Sequence, residues 1–251
     1  MRAGRGPAYG AAVFSLLTAA GGLRDDRSKA DEPFDLLDLL QITDRSFPTG
    51  GFVHSHGLEW ILKQRAASLE EVLEMRLQQQ LARFELVFLL AAMEWATDPE
   101  TNPLAALDER FHSMVLAREA REASAQVGRQ LLRNAADLFE SKMLSAAATG
   151  LPYAHAPVVF GAISHSLRVP PRTATRAYAF QTVRSQISAA QRLSRLGQAE
   201  AQRILHHAKP GIEAAVSVAL ACPIEDAAVF MPLLDIASMA HERAEVRLFV
   251  S

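Results

Sequence analysis

The sequence contains one cysteine, Cys222, in 251 residues. A single cysteine excludes an internal disulfide and a thiolate metal cluster built by one chain, and it favours a reducing, cytoplasmic compartment. The sequence also lacks an excess of basic charge, because 26 Lys and Arg residues stand against 28 Asp and Glu residues. Without that excess there is no long-range attraction to nucleic acid or to an anionic membrane, and we expect neither as a partner.

Motifs of common enzymes are missing as well. There is no G-x-x-x-x-G-K-[ST] phosphate loop, no G-x-G-x-x-G turn and no G-x-S-x-G nucleophile elbow. His241 and Glu242 begin like a zinc-protease motif, but Glu245 stands where the second histidine would be needed. We therefore predict that the chain is not an enzyme and needs no cofactor.

Apolar runs long enough to cross a membrane are also lacking. Residues 11–20 form an apolar run behind Arg2 and Arg5, of about the length of a signal-peptide core and too short for a membrane span. Glycines flank this run, and the interpretation we favour is a disordered leader over residues 1–33. A signal peptide and an organelle-targeting sequence are the alternatives.

From residue 34 onward the sequence has no β-branched run of period two that would require a sheet. Apolar residues instead recur at spacings of three and four, which is typical of amphipathic helices. With 49% hydrophobic residues, a domain of this size can bury roughly 70 to 75% of the surface of its unfolded chain. We predict an all-α protein in which residues 34–251 form a single compact helical bundle.

Several helices can be placed from the pattern. Ser68 and Glu71 form a capping-box pattern at the start of a helix that we expect at the centre of the core. Its apolar stripe consists of Leu73, Leu77, Leu81, Phe84 and Phe88. We also expect a shorter apolar helix from Pro157 to just before Pro170.

Three further helices are expected to present distinct faces. Phe34, Leu37 and Leu40 share one face of a short helix that stops near Thr43. After Pro171, one face carries Phe180, Val183 and Ile187 and should pack inward, while a polar face carries Gln181, Arg184, Ser188, Arg192 and Arg195. Near the C-terminus, an amphipathic stripe consists of Leu233, Ile236, Met239 and Ala240.

The stretch from Phe47 to Trp60, F-P-T-G-G-F-V-H-S-H-G-L-E-W, combines turn formers, two histidines and a helix start. Pro48 fixes one backbone torsion, and Gly50 permits a left-handed conformation. We expect Ser55 to cap a helix that begins near His56 and Glu59 to favour its first turn. From the residues alone, a tight interhelical turn and a functional loop are both possible.

Three ordered blocks of this sequence resemble the motifs of the UreF family of urease accessory proteins. The first block comprises Leu40–Ile42, Ser46–Phe52 and His54–Glu59. The second comprises Ser188–Leu193, Leu196–Gln198 and Gln202–Leu205, and the third lies within Pro232–Phe249. The resemblance extends over residues 34–251.

This resemblance implies an all-α scaffold required for nickel insertion into apo-urease. As a homodimer, such a protein would link the accessory protein UreD or UreH to the GTPase UreG and modulate GTP-dependent nickel delivery. The tail is implied to bind UreD or UreH. The partner-binding candidates are Phe47, Pro48, Gly50, His54, Ser55, Gly57, Glu59, Arg184, Ser188, Arg192, Asp235, His241, Glu242, Arg247 and Phe249.

Two alternatives remain from the sequence. His54 and His56, with Glu59, offer nitrogen and oxygen ligands, so the chain could be a helical metal-binding protein or a metal-dependent enzyme. We favour no metal site, because the helix expected to begin near His56 would turn that side chain away from His54. The other alternative is a helical interaction protein outside urease maturation.

Overall fold

The computed structural model describes residues 34–51, 54–97, 103–194, 196–242 and 249, and of His241 and Glu242 it describes the backbone. The predicted leader, residues 1–33, lies outside the described residues, as does Arg247.

Every regular element in these ranges is helical, which confirms the all-α prediction. The described residues between 34 and 242 form one compact helical bundle. The first α-helices are α1 (Leu36–Thr43), α2 (Leu58–Gln64), α3 (Leu69–Met75), α4 (Leu86–Trp95), α5 (Leu104–Met114) and α6 (Arg118–Phe139). They are followed by α7 (Lys142–Gly150), α8 (Ala156–Ser166), α9 (Pro171–Leu193), α10 (Gln198–Ala221) and α11 (Pro232–Glu242). A π-helical segment, Arg76–Glu85, joins α3 to α4, and a 3₁₀ turn spans Ile224–Asp226. None of the described helices is long and apolar enough to cross a membrane.

The helix starts follow the capping signals in the sequence. At the start of α3, the Ser68 hydroxyl accepts from the amide of Glu71 and the Glu71 carboxylate accepts from the amide of Ser68, which confirms the capping box. Pro157 lies in the first turn of α8, and Pro171 is the first residue of α9. Proline suits these positions because the first helical amides have no partner within the helix.

The centre of the core is the continuous run of α3, the π-helical segment and α4. All five residues of the predicted stripe are buried, with exposed fractions of 5% or less. The rings of Phe84, Phe88 and Phe111 pack against one another with centroids 4.7 to 5.1 Å apart. Helices α4 and α8 approach closely at Gly161, where a Cβ atom would lie 2.4 Å from the carbonyl oxygen of Leu89.

In two helices the apolar stripe noted in the sequence lies partly at the surface. In α1, Leu37 and Leu40 are exposed, and Leu39 and Ile42 are buried instead. Five of the eight residues of α1 are Leu or Ile and surround the helix, so the pattern alone does not define the covered side. In α11, Ile236 and Met239 are likewise exposed, and Leu234 and Ala237 pack inward.

The prediction for α9 is confirmed in part. Val183 and Ile187 are buried, but Phe180 is at the surface with 36% of its area exposed. Ala189 and Ala190, which lie between the polar residues in the sequence, are buried in the core. Helix α9 contacts neighbours on several sides, so the boundary between its faces depends on packing that local spacing does not encode.

A buried carboxylate fixes the turn that precedes α8. Asp108, on α5, is fully buried and accepts hydrogen bonds from the backbone amides of Tyr153, Ala154 and His155 at 2.7 to 2.8 Å. The Nε2 atom of His155 lies 3.1 Å from Nδ1 of His112. These contacts tie α5 to the start of α8.

The free energy of unfolding should decrease as pH is lowered, because His155 is fully buried. Burial, followed by the charges of His112, Arg129 and Arg121, lowers the pKa of His155 to about 3. Unfolding restores an ordinary histidine pKa, so the contribution of this neutral histidine is present above about pH 6.5 and is lost as pH falls towards 3, by about 1.4 kcal/mol per pH unit.

Urea unfolding at pH 7.5 and pH 5 measures this effect. Replacing His155 with Gln should remove close to one proton from the proton uptake on unfolding and so reduce the pH slope of the free energy of unfolding. Equal slopes in wild type and the His155 variant would contradict this assignment.

Candidate partner-binding groove

The loop between α1 and α2 is built from consecutive turns. The amide of Phe47 donates to the carbonyl oxygen of Asp44 at 3.1 Å, and the amide of Thr49 donates to that of Phe47 at 2.8 Å. Gly50 has a φ of 72°, as its position in the turn requires. Asp44 accepts hydrogen bonds from the hydroxyl and the amide of Ser46, which lower the pKa of the Asp44 carboxyl.

The start of α2 differs from the prediction that Ser55 caps a helix beginning near His56. The helix begins at Leu58, and its N-cap is Gly57, with a φ of 82° and no side-chain cap. His56 is also left-handed, with a φ of 51°. These two left-handed residues turn the chain between Ser55 and the first helical amides, and the buried Ser55 hydroxyl has no partner among the described residues.

Gly57 should be the least replaceable glycine of the loop. A Cβ atom there would be strained by the positive φ and would lie 3.1 Å from Cβ of Ala237 and 3.2 Å from Oγ of Ser238. We expect Gly57→Ala to lower the free energy of unfolding by about 1 to 3 kcal/mol in urea titrations. Gly50→Ala is the matched control, because its φ is also positive while a Cβ there meets no atom within 4 Å. An equal loss for both variants would show that contact with α11 is unimportant.

A network of hydrogen-bonded polar side chains contacts the loop on its inner side. Arg76 is 4% exposed and donates through Nη2 to the carbonyl oxygen of His56 and through Nη1 to Oε1 of Gln80, the latter at 2.7 Å. Gln80 donates in turn to Glu85, which also accepts from the hydroxyl of Tyr178 at 3.2 Å. Burial raises the pKa of Glu85 and lowers that of Arg76 to about 10. Burial also lowers the pKa of His56 to about 3, so this ring is neutral at pH 7.

Two side chains from distant helices hold the outer part of the loop. Arg184 of α9 donates to the carbonyl oxygen of Thr43 at 2.6 Å. Asn134 of α6 donates to the carbonyl oxygen of Pro48 at 2.8 Å. The loop is therefore fixed against the bundle at its start, at Pro48 and, through Arg76, at His56 near its end.

A groove of about 390 Å³ lies between this loop and the polar face of α9. The loop side is formed by Asp44, Arg45, Ser46, Phe47, Pro48, Thr49, Gly50 and Gly51. The helix side is formed by Gln181, Arg184, Ser185, Ser188 and Arg192. Two surfaces that the sequence analysis treated separately are thus the two walls of one groove, which we call the loop–α9 groove.

Comparison with known proteins identifies the family to which this chain belongs. The family model for UreF matches residues 63–209, more than half of the chain. A urease accessory protein UreF from Bacillus sp. strain TB-90 is 31% identical over 224 residues, covering 86% of this chain and 99% of its own length. The UreF of Paenarthrobacter aurescens is 35% identical over 223 residues, with 86% and 97% coverage. The chain belongs to the UreF family.

Three predicted contact residues of this UreF-family chain are buried and do not line the groove. His54, Ser55 and Glu59 are 3%, 0% and 1% exposed. Glu59 pairs with Lys63 at 2.7 Å and accepts from the amide of Phe249 at 3.3 Å. In this structure the three side chains are therefore not part of the surface that a partner can reach.

The predicted tail residues are divided between two places. Phe249 is 4% exposed, and its ring centroid lies 4.3 Å from the guanidinium carbon of Arg192, in cation–π contact at the end of the groove. Asp235 lines a separate cleft of about 270 Å³ that also includes His56 and the exposed side chain of Phe230. The side chains of His241 and Glu242, and Arg247 as a whole, lie outside the described residues.

Sequence reasoning missed the residues that hold this UreF loop. Arg76 follows Val72 and Leu73 at helical spacings of four and three, so its place on the buried face was visible as a charge within an apolar stripe. Asn134 gave no comparable signal, because polar residues are common on helix surfaces.

The histidine pair does not extend to a metal site. The rings of His54 and His56 have centroids 5.9 Å apart. Across the described parts of the chain, no group of three or more His, Cys, Asp or Glu residues is arranged to hold a metal ion. The alternative of a metal-dependent enzyme using His54, His56 and Glu59 gains no support from this geometry.

Proposed function

We propose that this chain is a non-enzymatic urease maturation factor required for nickel insertion into apo-urease. It acts as a homodimeric cytoplasmic scaffold that links a UreD/UreH-type accessory protein to a UreG-type GTPase. The proposal rests on family membership and on one observation, the loop–α9 groove, in which the loop motif and the polar face of α9 meet.

The construction of the groove favours a binding surface over a simple interhelical turn. Hydrogen bonds from Arg184, Asn134 and Arg76 fix the loop backbone at three points. A surface held in one conformation before binding loses less conformational entropy when a partner docks. Pro48 and Arg192 are exposed on opposite walls, where a partner can reach both.

The tail and α11 supply the second surface of the scaffold. Phe230, Ile236 and Met239 are 79%, 54% and 41% exposed and lie around the cleft that includes Asp235. Exposed apolar side chains grouped around one cleft are typical of protein-interaction sites. We assign this surface to the UreD/UreH-type protein, which leaves the loop–α9 groove for the GTPase.

Control of nickel delivery then requires no catalytic group in this chain. A scaffold that binds one nucleotide state of the GTPase more tightly than the other shifts the GTPase towards that state. Nickel is the cargo of the GTPase, and the scaffold determines where and in which state the GTPase releases it.

Co-purification tests the proposal. The full chain is mixed with the UreD and UreG homologues of its source organism, with and without nickel and GTP, and the products are analysed by light scattering and metal analysis. We expect a dimer of the chain alone and a complex in which nickel accompanies the GTPase. Truncation after Ala240 should remove the UreD homologue. A monomeric chain that binds neither homologue would overturn the scaffold function.

A further inference from the structure

Three guanidinium groups line the loop–α9 groove. Arg45 is exposed on the loop wall, and Arg184 and Arg192 lie on the α9 wall. Among the described lining residues, the one carboxylate is that of Asp44. The groove therefore has a local excess of positive charge, although the whole chain has a formal net charge of −2.

The carboxylate of Asp44 does not neutralise this excess. It already accepts two hydrogen bonds from Ser46, and it can offset one of the three positive charges. The charge of Arg45, after burial, contributes to lowering the pKa of Arg192, as expected for cations held near one another. An anionic occupant would relieve this repulsion.

The spacing of the cations distinguishes a protein segment from a small anion. Arg184 and Arg192 are eight residues apart on one helix, which places their Cα atoms about 12 Å apart along its axis. Carboxylates eight residues apart on a helical partner segment, just over two turns, match this spacing, whereas a single phosphate group does not span it. The hydroxyls of Ser185 and Ser188 lie between the two arginines and add hydrogen-bonding capacity.

We infer that the loop–α9 groove binds an acidic segment of a partner protein, whose Asp and Glu carboxylates pair with Arg45, Arg184 and Arg192. The inference rests on the proposed function, in which this groove is a partner-binding surface. Guanidinium groups suit this task because they remain charged and present paired donors to a carboxylate.

Fluorescence anisotropy with two labelled peptides tests the inference on the full chain. One peptide carries glutamate at every fourth position, so that some glutamates are eight residues apart, in an alanine background, and the other has glutamine at the same positions. We expect the glutamate peptide to bind at least about tenfold more tightly than the glutamine peptide at low ionic strength, and to lose this advantage in high salt.

Charge-reversal variants locate the binding. The double variant Arg45→Glu, Arg192→Glu should weaken glutamate-peptide binding about tenfold, and Arg45→Lys, Arg192→Lys should retain most of it. Arg184 is kept, because it also holds the carbonyl oxygen of Thr43. Reversal of the exposed Arg203, which is outside the groove, is the matched control and should change binding less than about threefold. Urea unfolding of each variant verifies that it is folded.

Three results would overturn the inference: equal binding of the two peptides, no loss on charge reversal in the groove, or displacement of the peptide by inorganic phosphate at the peptide's own concentration. The third would identify a small-anion site. Binding of the UreG homologue to the wild-type chain is measured in parallel. Failure of that binding would reject the proposed function and leave the peptide result to decide the chemistry of the groove.

Discussion

Replacing Arg76 with Met is expected to lower the free energy of unfolding by about 3 to 5 kcal/mol, because it removes the cation of a buried charge network. The carbonyl oxygen of His56 and the amide oxygen of Gln80 would lose their donor, and Glu85 would lose the nearby positive charge. The loop would lose its hydrogen bond to Arg76, so binding of the proposed GTPase partner should weaken together with stability.

Urea denaturation measures the loss of stability, with Arg83→Met as the matched control. Arg83 is exposed on the same π-helical segment, and its replacement should change stability by no more than about 0.5 kcal/mol. Arg76→Lys should recover only part of the loss, since one ammonium group does not reproduce the planar fork that reaches two acceptors. If Arg76→Met were as stable as wild type, the network would not support the loop.

Replacing Asp108 with Ala should have an effect of similar size, about 3 to 5 kcal/mol, for a different reason. Three backbone amides, those of Tyr153, Ala154 and His155, would lose their acceptor in a fully buried site, and each unsatisfied donor costs about 1 to 3 kcal/mol before relaxation. The start of α8 packs against α6 at this turn, so the loss should appear as cooperative global unfolding at lower urea concentration.

Asp108→Asn distinguishes charge from geometry, because its single amide oxygen can accept from only some of the three amides. We expect the free energy of unfolding of Asp108→Asn to lie between those of wild type and Asp108→Ala. The exposed Asp137, changed to Ala, is the control for removing a carboxylate. A loss below about 1 kcal/mol for Asp108→Ala would show that water replaces the carboxylate at this turn.

The fold was largely predictable because its determinants are local. The stripe from Leu73 to Phe88 gave the central helix of the core, and the capping box at Ser68 gave its start. The π-helical geometry between Arg76 and Glu85 was not predicted, because apolar spacings of three and four do not distinguish a π-helix from an α-helix. The covered sides of α1 and α11 were not predicted, because apolar residues occur on more than one side of each helix.

The candidate site was predictable in composition and not in arrangement. The residues around Phe47 and those from Arg184 to Arg192 were selected separately, and their meeting in one groove is a long-range contact that local spacing does not encode. Ser55 was wrongly assigned as a helix cap, because nothing in the sequence indicated that His56 as well as Gly57 would be left-handed. The burial of Arg76 could have been predicted from its position within an apolar stripe, but its contact with the loop was not predicted.

The most direct test of the scaffold account is the affinity of the UreG homologue for a chain whose groove is filled. Ser188→Trp places a large side chain between the two walls, and Ser145→Trp places the same side chain on an exposed position of α7. Isothermal titration calorimetry should show binding weakened at least about tenfold by Ser188→Trp and changed less than about threefold by Ser145→Trp, with both variants folded. Wild-type affinity in the folded Ser188→Trp variant would contradict the assignment of the loop–α9 groove as the partner-binding surface.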